Sequence, residues 1–85
     1  MIDAKKWRFT REMVAYSPAH PGVYALWQGA QLLKVGIARS EETIRAKLLE
    51  HLEAPGTAAT HYSWEIARSP EQRVLEVVSQ LEGAQ

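Results

Sequence analysis

The stretch "PGVYALWQGAQLLKVGIA", Pro21 to Ala38, decides how this chain folds. Val23 to Trp27 is built from β-branched and aromatic residues, which suit a pleated, half-buried surface. "QGAQ" follows as a tight turn, with Gly29 free to take positive φ. Leu32 to Ala38 is a second strand, so the two runs form a hairpin. Lys34 sits in this second arm, where a buried strand favours an apolar residue. It follows Tyr24 by ten residues.

Upstream, Met1 to Phe9 is an arm, in which "WRF" is either a short strand or a tuck of Trp7 and Phe9 onto the core. Thr10 caps a helix carrying Met13, Val14 and Tyr16. "SPAHPG" ends it, because Pro18 and Pro21 each push the preceding residue toward extended geometry. Downstream, Ser40 reads as the cap of a helix running to about Glu53, with Glu41 and Glu42 in its first turn. "HYSWEIA" alternates, with Tyr62, Trp64 and Ile66 on one face. Ser69 and Pro70 open a last helix carrying Val74, Leu75, Val77, Val78 and Leu81.

These elements predict one α+β domain, a small three-stranded antiparallel sheet flanked by helices in the order α-β-β-α-β-α. Residues 1–20 form an N-terminal arm and helix, and residues 21–85 form the core. A chain of 85 residues has room for one small core, and 46% hydrophobic residues suffice to fill it. There is no cysteine, which excludes disulfides, thiolate metal sites and a cysteine nucleophile. No apolar run reaches the roughly 18–20 residues of a membrane span, and the N-terminus lacks the apolar core of a signal peptide. A cytoplasmic protein with no membrane partner is the expectation.

Net charge is zero, but its distribution is uneven. Residues 1–48 hold eight Lys/Arg against four acids, whereas residues 49–85 hold two against six. Such asymmetry can give one basic face on a neutral molecule.

"GVY" (Gly22 to Tyr24) followed by "KVG" (Lys34 to Gly36) resembles the paired motif of the GIY-YIG nuclease family. Ile44 to Leu52 is similar to that family's helix, where an Arg precedes a His or Tyr by four residues. "SPEQRVLE" resembles the helix bearing the family's metal-binding Glu. The likeness covers roughly Pro21 to Leu81 and implies a GIY-YIG-like fold. It also implies hydrolysis of phosphodiester bonds in DNA with a divalent metal, usually magnesium. Such chemistry needs phosphate charge neutralised and a nucleophile generated near neutral pH.

Carried over by residue, the resemblance makes Tyr24 the base or water-positioner. Lys34, which replaces the usual second Tyr, would place a cation opposite Tyr24 and favour its phenolate. Lys47 stands at the family's Arg and keeps its charge without the planar fork. With Ile44 at zero, Lys47 and His51 fall at about 300° and about 340°, on the flank of the apolar arc. Arg45, at about 100°, lies inside that arc and is the alternative to Lys47. Lys47 and His51 are thus candidate phosphate contacts, and Arg39, Arg45 and Lys47 candidate nucleic-acid contacts. Glu76 matches the magnesium ligand, yet with Val74 at zero it falls at about 200°, opposite the apolar arc and toward solvent.

Two readings follow. The first is a metal-dependent endonuclease whose neutral charge calls for a homodimer, a protein partner or low sequence specificity. The second is a degenerate domain that binds nucleic acid or a protein partner without cutting.

Overall fold

The structure, a computed structural model, describes residues 5–83, so the first four residues of the expected arm and the last two of the chain lie outside it. The elements run β1 (Trp7–Arg8), α1 (Arg11–Val14), β2 (Gly22–Gln28), β3 (Gln31–Ala38), α2 (Ile44–Glu53), β4 (His61–Ile66) and α3 (Pro70–Gly83). The domain is α+β, with a four-stranded antiparallel sheet in the order β1-β4-β2-β3. The expected sheet had three strands. The fourth is Trp7–Arg8, which pairs with Tyr62 and His61 and covers part of β4's outer edge. The adjoining Phe9 N–H extends this seam by donating to the Thr60 carbonyl at 2.9 Å.

Strand alternation divides the sheet into two faces. Tyr24, Leu26 and Tyr62 point to one face, where they pack with Phe9, Val14, Ile44 and Leu48 from α2 and the N-terminal segment. Val23, Ala25 and Trp27 point to the other, against Val77 and Leu81 of α3. Residues 5–20 therefore share the core with the rest of the chain. Tyr62 fastens α1 to the sheet, since its hydroxyl donates to the Met13 carbonyl at 2.8 Å and accepts from Ser17 Oγ at 3.1 Å. No helix among the described residues is long and apolar enough to cross a membrane.

A bulge in β3 decides which face Lys34 occupies. Gln28 pairs with Gln31 and Trp27 with Leu32, but Leu26 then pairs with Lys34, leaving Leu33 unmatched. A regular ladder from the same turn would have set Lys34 beside Ala25, on the α3 face. The extra residue shifts the register by one and brings Lys34 and Gly36 to the face of Tyr24. Tyr24 itself lies opposite Gly36, and Lys34 opposite Leu26, one pair further along the same face.

The helix ends show where local signals held. Thr10 caps α1 by accepting from the Met13 N–H, and α3 begins at Pro70 after Ser69, whose carbonyl accepts from Gln72 and Arg73. The cap of α2 is Thr43 rather than Ser40, and it accepts from the Ala46 N–H at 3.2 Å. Residues 40–42 form a turn, so Glu41 and Glu42 precede the helix instead of filling its first turn.

Candidate functional site

Two glycines place Tyr24. A Cβ on Gly36 would run into the Tyr24 ring and hydroxyl, so the phenol lies flush across the β3 backbone. A Cβ on Gly22 would meet the Glu65 carbonyl and the Ile44 side chain, so this glycine lets α2 approach the sheet. The Tyr24 hydroxyl then meets His51 Nε2 at 2.8 Å, with ring centroids 5.4 Å apart. His51 comes from α2, one turn after Lys47.

Burial dominates the electrostatics of this pair. Burial raises the Tyr24 pKa, and the charges of Glu50 and Glu42 add to the rise, against the opposing pull of the Lys47 ammonium. Burial lowers the His51 pKa, helped by the cations of Lys34 and Lys47 and opposed by Glu50. Both groups are therefore held neutral near neutral pH. With His51 in its Nδ1–H tautomer, the phenol donates and Nε2 accepts. Tyr24 is only 3% exposed, so the bond to His51 holds its hydroxyl in place at the edge of the core.

Lys47 lies beside this pair and is itself engaged. Its ammonium contacts Glu42 Oε2 at 2.9 Å and Glu50 Oε2 at 3.6 Å. The bond to Glu42 raises the Lys47 pKa, and the same bond, with the Arg39 N–H, lowers that of Glu42. Lys34 is exposed on the same sheet face, close enough for its charge to act on His51. The structure thus brings Tyr24, Lys34, Lys47 and His51 together.

Arg45 and Glu76 lie elsewhere, while Arg39 adjoins the cluster through Glu42 and is shared with Glu71. Arg39 bonds Glu71 Oε2 through Nε at 3.0 Å, clipping the end of β3 to the start of α3. Arg45 donates from Nε to the Ser17 carbonyl at 2.8 Å, tying α2 to the segment after α1. Glu76 stands on α3, which covers the opposite face of the sheet. Its side chain is 66% exposed and bonds Arg73 Nη1 at 2.5 Å, while Arg73 also grips Glu65 of β4. Glu76 therefore does not join Tyr24. The carboxylates felt at Tyr24 are Glu50 and Glu42, both committed to Lys47. Among the described residues, no group of three or more His, Asp or Glu side chains gathers where a metal ion could sit.

Two participants were not legible in the sequence. Glu42 reads as a first-turn acid, yet it folds back on Lys47. Thr43 takes φ 57° and ψ 149°, a conformation that costs a β-branched residue about 1–3 kcal/mol. Nothing in "SEET" signals either role. Apart from this cluster, an apolar pocket of about 50 Å³ opens at the β1–β4 edge, lined by Trp7, Met13, Tyr16, Tyr62 and Trp64.

Set against protein-family models, curated proteins and solved structures, the chain finds no significant match in any of the three.

Proposed function

We propose that this chain is a GIY-YIG-like domain that binds nucleic acid at the Tyr24–His51 face without cutting it. One observation carries the reading. The Tyr24 phenol and the His51 imidazole are bonded to each other at 2.8 Å and flanked by the cations Lys34 and Lys47. Cations beside a neutral, buried pair can attract phosphates, but they leave no free base to activate water. Glu76, which a nuclease of this kind would use to hold its metal, is across the sheet on Arg73.

Binding of this kind weakens as salt rises, because phosphate contacts release condensed counterions. Lys34→Ala and Lys47→Ala are each expected to weaken binding to any sequence and to lower the salt slope by about one. The nuclease reading draws on the convergence of Tyr24, Lys34, Lys47 and His51 on one face. It predicts magnesium-dependent cutting that Tyr24→Phe and Glu76→Ala abolish. Incubating single-stranded, duplex and branched DNA with the protein and magnesium separates the two readings. Intact DNA in a salt-sensitive complex supports the first, and product that disappears in those variants overturns it.

A further inference from the structure

The Lys47 ammonium already has an anion on it, supplied by the chain itself. One oxygen of Glu42 lies 2.9 Å from Lys47 Nζ. The other accepts the Arg39 backbone N–H at 3.1 Å and lies 3.8 Å from the Arg39 guanidinium. Three donors from two elements thus converge on a single carboxylate. An ammonium, a guanidinium and a backbone N–H also make a donor set suited to a phosphate oxygen.

The backbone that delivers this carboxylate is strained. Thr43, the residue after Glu42, holds φ 57° and ψ 149°, a region that favours glycine. Its hydroxyl is tied to the Ala46 N–H at 3.2 Å, so the cap of α2 and the placement of Glu42 are set by one turn. The carboxylate is reachable from solvent, since the side chains of Glu42 and Lys47 are 29% and 25% exposed. Release would return Glu42 to water, and the strained residue sits in the same turn that places the Glu42 carboxylate.

We propose that Glu42 is an internal stand-in for a phosphate group, and that a phosphate-bearing ligand binds at Lys47 and Arg39 by displacing it. The inference rests on the binding role proposed for this face and adds the element that regulates it. A ligand shifts such an equilibrium only by its preference for the open form. Glu42 therefore sets a threshold, rejecting weak anions and admitting a group with more charge or more contacts.

The test measures inorganic phosphate and a single-stranded oligothymidylate against the wild type, Glu42→Gln, Thr43→Gly and the double variant Glu42→Gln with Lys47→Ala. Glu42→Gln is expected to tighten oligonucleotide binding about fivefold, the size of one exposed ion pair. Adding Lys47→Ala should cancel the gain. Thr43→Gly frees the strained backbone of the closed form but also removes the hydroxyl cap on Ala46, so binding is the readout: weaker oligonucleotide binding is expected, and unchanged binding overturns the inference. Lys47-dependent binding that Glu42→Gln leaves as it was overturns the inference and keeps the nucleic-acid reading. Tighter inorganic phosphate with no oligonucleotide binding in any variant keeps the inference and overturns that reading. No binding of either probe to any variant overturns both.

Discussion

Tyr24 lies directly across Gly36, with its ring and hydroxyl in the space where a Cβ would stand. Gly36 and Tyr24 are thus two halves of one contact. Gly36→Ala should cost about 1–3 kcal/mol, the usual range for overpacking a filled site. The cost should shrink in a Tyr24→Ala background, where the added methyl has room. Urea denaturation of the single and double variants measures this coupling. Equal costs in both backgrounds would mean that Tyr24 is not what Gly36 accommodates.

His51 should titrate below an ordinary histidine. Burial is the main cause, and the Lys34 cation adds to it. Because the folded pKa is depressed, the contribution to stability is complete above the unfolded value. It is lost as pH falls from that value through the folded one. Lys34→Ala should raise the His51 pKa toward normal. An NMR titration of the imidazole protons reads the shift, and an unchanged or lower value in the variant would contradict the placement of Lys34.

Glu65 and Arg73 should hold α3 to β4 in a pH-dependent way. The Arg73 guanidinium holds the Glu65 carboxylate below its usual range. This stability is present at neutral pH and is lost as pH falls through the folded Glu65 pKa. Arg73→Met should therefore lower the melting temperature at neutral pH, and the gap to wild type should close in acid. Glu76→Gln removes only an exposed contact to Arg73 and should change stability little. Thermal melts of both variants across acid and neutral buffers check the pair. A Glu76→Gln effect as large as that of Arg73→Met would contradict this ranking.

What the sequence disclosed depended on how local the determinant was. The hairpin was legible because "QGAQ" separates two runs of strand-forming residues. The start of α3 was legible because Ser69 and Pro70 are both local signals. The outward direction of Glu76 followed from helical periodicity. The strand at Trp7–Arg8 could be raised only as one alternative, since two residues carry no period and the pairing depends on β4, more than fifty residues on. The bulge at Leu33 was hidden because hydrophobic pattern alone fits a regular ladder equally well. Ser40 reads as the α2 cap because "SEET" is a local helix-start signal, whereas the cap at Thr43 comes with a positive φ that no local signal announces. The approach of Tyr24 to His51 rested on the motif resemblance, and helical geometry supplied only the pairing of Lys47 with His51.

The most direct test of the central claim is a single titration with a product check. Fluorescence anisotropy of a labelled single-stranded DNA is followed against protein at several salt concentrations, with magnesium present, and the DNA is then run on a denaturing gel. The account predicts binding that weakens with salt, a shallower salt dependence for Lys47→Ala, and full-length DNA throughout. Shortened DNA with the wild type and intact DNA with Tyr24→Phe, or no binding at low salt, would contradict it.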